Sequence, residues 1–226
     1  MISDQAYVLH KRPFKDSSEL IKVLGKHSGV MDLISKGSRN PKSKFKGQLQ
    51  PFIESQISYS GRSELKTLIH SEQVGVNPAC AYLNHVSMLY CNELILLLTF
   101  NEDYHAELFE LYALTIKALK STDKVSLILR QFEWRLCCSQ GYQLSLPKHI
   151  KPTDYVAFCP INGLVVSDQH NPCKAASFSH FVSGQVMSSL MLNEINHLMR
   201  TVIDHMVHGK TIQSRALLIK PTAASS

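Results

Sequence analysis

Five cations, Lys36, Arg39, Lys42, Lys44 and Lys46, fall within eleven residues that contain no acid. Gly37, Ser38, Asn40, Pro41 and Ser43 lie between them, so the segment is low in side-chain bulk and reads as a flexible basic loop. Such a run attracts a phosphate backbone without reading its sequence. Lys11, Arg12, Lys15, Arg62 and Lys66 lie near the ends of neighbouring strand-like runs and extend the patch. Aromatic residues for base stacking are sparse. Phe14, Phe45, Phe52 and Tyr59 are the choices, and Phe52 is the most suggestive because it falls on the otherwise polar face of its run.

Other chemistries find less support. Gly209-Lys210-Thr211 has the ending of a phosphate-binding loop, but Asp204 stands where its first glycine belongs, and a helix rather than a strand precedes it. Cys137-Cys138 is not a C-x-x-C pair, and Cys159 and Cys173 stand alone. His197, His205 and His208 share one helical run, with His205 and His208 a turn apart, but with no acidic or cysteine partner at metal-ligand spacing beyond the adjacent Asp204. No Ser/His/Asp or Cys/His signature is present. The expectation is a protein with no catalytic residues, no metal and no cofactor. Scattered cysteines, no apolar run longer than Leu94 to Leu98 and no apolar leader after Met1 point to a reduced, cytoplasmic protein without a membrane span.

The chain that positions the basic loop has 226 residues and a formal charge of +6. The first 75 residues carry 12 Lys and Arg against 7 Asp and Glu, a net +5, which leaves +1 for the rest. That basic third reads as β. Residues 48–59 alternate apolar and polar with period two, and shorter runs lie at 6–10, 19–24, 30–35 and 64–71. The one long connection, residues 36–47, follows the third run. Five strands in so short a segment suit a small closed barrel, an OB-fold or an SH3-like barrel.

After residue 78 the apolar spacing changes to three and four. Helices are expected over 79–100, 104–119 and 125–140 as an antiparallel bundle, with Ser121, Thr122 or Asp123 capping the third, and over 183–208 as one long helix ending at Gly209. Residues 144–179 form an irregular insertion whose only expected element is a hairpin at Asn162-Gly163 with a type I′ turn. Residues 221–226 read as a disordered tail.

Several stretches together resemble the RecO family of bacterial recombination mediators. In order they are residues 6–10 with Arg12-Pro13, Ser17-Ser18, Lys36-Gly37-Ser38-Arg39, Leu49-Gln50-Pro51-Phe52, residues 61–67, residues 90–94, residues 129–133, Gly141-Tyr142 and residues 209–217. The resemblance implies an α+β chain. An N-terminal five-stranded OB-fold over 1–76 binds DNA, and an all-α domain over 77–220 follows, carrying the insertion. It implies ATP-independent binding of single- and double-stranded DNA and annealing of complementary strands. The implied partners are RecR and the acidic tail of single-stranded-DNA-binding protein, with RecA loaded indirectly and the protein at the nucleoid when it acts. Some members hold zinc with four cysteines; this chain lacks that paired pattern, so zinc is not carried over.

On this reading Lys11, Arg12, Lys36, Arg39, Lys42, Lys44, Lys46, Arg62 and Lys66 contact DNA, and Lys210 and Arg215 add a second contact. Leu127, Arg130 and Trp134 on the third helix offer the apolar groove and cation that an acidic tail requires. The rival reading is an RNA-binding OB protein of translation or ribosome assembly. A metal hydrolase built on the C-terminal histidines is a third.

Overall fold

The computed structural model describes residues 1–76, 79–99, 106–142, 144–168 and 173–218. The chain divides into two compact units, residues 1–121 with 212–226, and residues 122–211.

In the first unit, β1 (Ile2–Phe14), β2 (Ser18–Gly25), β3 (Gly29–Ser35), β4 (Glu54–Ser60) and β5 (Leu65–Gln73) close into a barrel in the order β1-β2-β3-β5-β4. β3 and β5 run parallel, and β4 returns to β1 antiparallel. This is the OB-fold order, and the SH3-like alternative falls away. Alternate residues fill the interior, among them Ile21 and Val23 of β2, Met31 and Leu33 of β3, and Ile57 and Tyr59 of β4. The β2–β3 turn is held by the buried Asp4 carboxylate, which accepts from the backbone N–H groups of His27 and Ser28 and from Ser28 Oγ at 2.7 Å. A Cβ on Gly25 would sit 2.7 Å from Asp4 Oδ2, so glycine is required there by close approach.

The fourth strand begins at Glu54, six residues later than alternation alone predicts. Phe52 is in the left-handed region (φ 65°) and buried, and this breaks the extended chain before Ile53. The composition that predicts a flexible 36–47 loop instead makes consecutive turns, with Asn40, Ser43, Lys46 and Gln48 each donating its N–H to the carbonyl three residues back. Phe45 and Leu49 anchor the loop in the barrel core.

Two helices pack within this first unit, α1 (Tyr82–Leu98) and α2 (Ala106–Leu119). The reason lies in a β-bulge. Leu9 is the extra residue in β1, between Val8 and His10. Its carbonyl accepts from Asn92 Nδ2 of α1 at 2.9 Å, and Tyr112 of α2 donates to Asn92 Oδ1 at 2.5 Å. Tyr112 also packs edge-on against Tyr7 of β1. Burial holds the Tyr112 hydroxyl well above the usual phenol range, so it stays a donor. Lys120, just after α2, donates to the Phe52 carbonyl at 2.9 Å. The compact units therefore divide the chain elsewhere than the change of period near residue 75.

The second unit holds α3 (Val125–Ser139), α4 (Ala175–Ser183) and α5 (Ser189–Met206), with a small sheet of β6 (Tyr155–Cys159), β7 (Gly163–Val166) and β8 (Cys173–Lys174) in the order β7-β6-β8. The three helices expected to form one bundle are divided between the two units, α1 and α2 in the first and α3 in the second. α3 packs on α5, whereas α1 packs on α2 and on α6 (Ser214–Leu218). The helix expected over 183–208 begins only at Ser189, as α5, and residue 183 instead ends α4, a helix that starts inside the span expected to hold no element but a hairpin. Gly184 ends α4 in the left-handed conformation, and Ser188 caps α5 by accepting from Met191 N–H. Lys124, the N-cap of α3, makes no side-chain cap bond; Thr122 Oγ1 accepts from Lys124 N–H instead. The hairpin at 159–163 forms with Gly163 at φ 71°, but Asn162 is not in the left-handed region, so its turn is not type I′. The expected tail, 221–226, lies outside the described residues.

Candidate nucleic-acid interface

Two of the loop cations, Arg39 and Lys44, are tied to the barrel. Arg39 donates Nη1 to the Lys15 carbonyl at 3.2 Å and its backbone N–H to the Ser17 carbonyl at 2.9 Å. This ties the loop to the β1–β2 turn and brings Lys15 to the same end. Lys44 reaches the other way, donating to the Ile69 carbonyl of β5 at 2.7 Å, with its ammonium 5.1 Å above the Phe45 ring. Lys36, Arg39, Lys42, Lys44 and Lys46 are all exposed, and among the described residues none of them forms an ion pair.

Lys11 and Lys22 on the strands, and Lys26 in the β2–β3 turn, are placed differently. Lys11 lies 4.0 Å from Glu19, Lys22 2.8 Å from Asp32, and Lys26 3.1 Å from Glu110. Lys66 is half-buried in β5, and Arg62 is exposed in the β4–β5 turn.

The outward positions of β1 to β3 fall into register. His10 pairs with Lys22, Lys22 with Asp32, and Asp32 with Leu65 of β5, while Arg12 pairs with Leu20 in the next row. These six residues and Glu64 line a groove of about 560 Å³. The same face of OB barrels, with the β1–β2 and β4–β5 turns, takes oligonucleotides in other proteins. Of its lining, sequence reasoning singled out only Arg12. His10, Lys22, Asp32 and Glu64 were missed, because their proximity depends on strand register rather than spacing.

The stacking candidates do not reach this surface. Phe45, Phe52 and Tyr59 are buried. Phe52 is corrected from stacking platform to core: its ring meets His85 edge-on at 5.4 Å. Phe14 is half-buried, with the Lys15 ammonium 5.4 Å from its ring.

Leu127, Arg130 and Trp134 share one face of α3 at helical spacing. Arg130 Nη2 is 2.6 Å from Glu133 Oε1, and the Glu133 side chain is fully buried. Trp134 packs edge-on against Phe181 at 5.9 Å. Arg130 Nε and Trp134 Nε1, one turn apart, find no acceptor among the described residues. Lys210 is exposed in the second unit. Arg215 belongs to the first, with its guanidinium 5.9 Å from the Tyr90 ring, and Glu93 caps the start of α6 by accepting from Gln213 and Ser214 N–H.

Burial raises the thiols of Cys137 and Cys138 and pushes Cys173 up to about 12, so these sulfurs stay protonated at neutral pH. Among the described residues no three His, Cys, Asp or Glu converge as metal ligands. His205 and His208 have ring centroids 6.0 Å apart, and His205 packs on Phe158. No described helix is long and apolar enough to cross a membrane.

A closed OB barrel with an unneutralised cationic loop at its end defines a class, the proteins that hold nucleic acid on a small β-barrel. Comparison with known proteins narrows it. The family described as Recombination protein O N terminal matches residues 1–76, and Recombination protein O C terminal matches residues 82–153. A DNA repair protein RecO of Laribacter hongkongensis is 30% identical, covering 98% of this chain and 95% of its own. One of Polynucleobacter asymbioticus is 31% identical, covering 96% and 95%. One of Aromatoleum aromaticum is 30% identical, covering 94% and 93%. The chain belongs to the RecO family of DNA repair and recombination proteins.

Proposed function

We propose that this protein is a non-enzymatic mediator. It binds single- and double-stranded DNA, anneals complementary strands and, with RecR, helps load RecA onto strands coated by single-stranded-DNA-binding protein. The observation that carries the reading is the exposed loop of five cations without ion pairs, anchored by Phe45 and Leu49. Annealing makes and breaks no covalent bond. It needs two polyanions brought together by a cationic surface with their bases free to pair. An anchored loop does this with little ordering cost, because its backbone is already set. Family membership supports the partnership with RecR and the link to RecA, and with them a cytoplasmic place of action at the nucleoid.

Leu127, Arg130 and Trp134 form the proposed seat for the acidic tail of single-stranded-DNA-binding protein. Support comes from the shared face of α3, on which an apolar side chain and an aromatic ring flank a guanidinium. An incoming carboxylate shares Arg130 with Glu133, so this seat holds its ligand through the apolar contacts of Leu127 and Trp134 as well as through charge.

The test is strand annealing on DNA coated with the cognate single-stranded-DNA-binding protein. It should proceed without ATP. Annealing of bare strands with none of coated strands would remove the mediator role. Tighter binding to RNA than to DNA of the same sequence would favour the RNA-binding alternative.

A further inference from the structure

Leu114 of α2 is 60% exposed, and Val74 and Val76, just past β5, are 58% and 82% exposed. Single exposed aliphatic side chains are ordinary, but these three line one groove of the first unit, together with the buried Ile53 and Ile116. Its walls are fixed by hydrogen bonds. Val74 donates its backbone N–H to the Glu54 carbonyl at 2.7 Å, and Lys120 donates to the Phe52 carbonyl at 2.9 Å. The volume of about 260 Å³ falls below the roughly 300–1,000 Å³ of small-molecule clefts, which suits one or two side chains of a larger partner. The charges are unequal. Lys117 and Lys120 stand against Glu54, the one carboxylate among the described lining residues, and Glu54 accepts from the Tyr7 hydroxyl at 3.2 Å. Burial and the Glu54 charge hold the Tyr7 phenol above its usual range, so it stays a neutral donor. Among the described residues neither lysine forms an ion pair. Exposed aliphatic side chains beside two ammonium groups complement a carboxylate whose neighbour is apolar. A nucleic-acid backbone would meet the lysines but leave the aliphatic side chains wet.

We propose that this groove docks an acidic segment of a partner protein, with an apolar side chain seated among Val74, Val76 and Leu114 and flanking carboxylates on Lys117 and Lys120. The groove belongs to the first unit, whereas Leu127, Arg130 and Trp134 belong to the second, so it is a site of its own and not part of the seat proposed for the tail of single-stranded-DNA-binding protein. The loop cations do not line it, so a docked segment leaves them open to DNA.

The test uses the full chain and a fluorescein-labelled synthetic peptide of aspartates around a central pair of leucines. One control peptide has lysines in place of the aspartates, and another has alanines in place of the leucines. The acidic leucine peptide should bind more tightly than either, whereas attraction to the basic loop by charge alone would not distinguish leucine from alanine. Leu114→Asp should weaken binding about tenfold, the scale of one aliphatic side chain leaving water. Lys117→Glu should weaken it about threefold at low salt and by less at high salt. Both positions are exposed, and Lys117→Glu keeps the test readable if the Leu114 variant does not fold. DNA affinity should be unchanged in both variants. Equal peptide affinity in wild type and both variants, or no binding by the wild type, overturns the assignment. A single-stranded oligonucleotide that displaces the peptide and itself binds more weakly to Lys117→Glu would make the groove a phosphate site instead. A concentration-dependent dimer in sedimentation that Leu114→Asp dissolves would make a second copy the occupant, and either result overturns the docking of an acidic partner.

Discussion

The barrel carries its cations in two ways. Lys11 and Lys22 on the strands and Lys26 in the β2–β3 turn each meet a carboxylate, whereas among the described residues the loop cations Lys36, Arg39, Lys42, Lys44 and Lys46 meet none. On the barrel, Arg39 and Lys44 donate to backbone carbonyls, which orient them without removing their charge. The helical unit repeats the first arrangement with Arg130 and the buried Glu133. The difference teaches that a net +6 is a poor guide to where DNA binds. On the proposed reading, a paired cation contributes mainly to structure, and an anchored one without an ion pair contributes mainly to binding.

Charge reversal of Arg39, Lys42 and Lys44 to Glu should break this contrast most severely. DNA affinity should fall on the order of a thousandfold at low salt, and the dependence of log affinity on log salt should lose about three of its slope. Anisotropy titrations across salt concentrations measure both, and an unchanged affinity would remove the loop from the interface. Stability should change by about 1 kcal/mol or less, as exposed substitutions do.

Arg130→Ala should show the reverse pattern. It leaves Glu133 buried without its cation, at a cost of roughly 3 kcal/mol, with DNA affinity unchanged. Urea denaturation and the same titrations measure the two halves. Affinity for an acidic tail peptide should drop in the variant under conditions where it is still folded; equal peptide affinity would place the tail elsewhere.

A smaller effect tests the strand cations. Glu19→Gln releases Lys11, and DNA affinity should rise by about two- to threefold at low salt and by less at high salt. No rise would mean that Lys11 lies away from the phosphate path.

Lys120 gives the smallest effect. Burial lowers its ammonium pKa, so the folded chain holds fewer protons on this group than the unfolded chain just below the ordinary value of 10.5. Stability contributed by this group should therefore rise as pH increases through that window. Lys120→Met should remove that part of the pH dependence; identical stability profiles for variant and wild type would show that the group does not titrate differently on folding.

Much of the barrel is legible without coordinates. Short β-like runs bounded by turn residues locate β2, β3 and β5 to within a residue or two, whereas the period-two run over 48–59 starts β4 six residues early. The loop cations are equally legible, since absence of acid in a stretch of chain is a local property. Phe52 is not. Its place on a polar face suggests exposure, but a left-handed backbone turns it inward beneath His85. The α5 start is missed because the apolar stripe that begins at Met187 does not show where local conformation at Gly184 ends one helix and Ser188 caps the next.

The sequence by itself determined the period of each element, the concentration of charge in the first third and the family. These depend on composition and near-neighbour spacing. Tertiary structure decided which cations are neutralised, since Lys22–Asp32 and Lys26–Glu110 are contacts between separate elements. It also decided that α1 and α2 pack with the barrel, where the Leu9 bulge offers a carbonyl to Asn92 of α1. And it decided that His10, Lys22, Asp32 and Leu65 stand in one row, because strand register, not sequence distance, determines which side chains meet across a sheet.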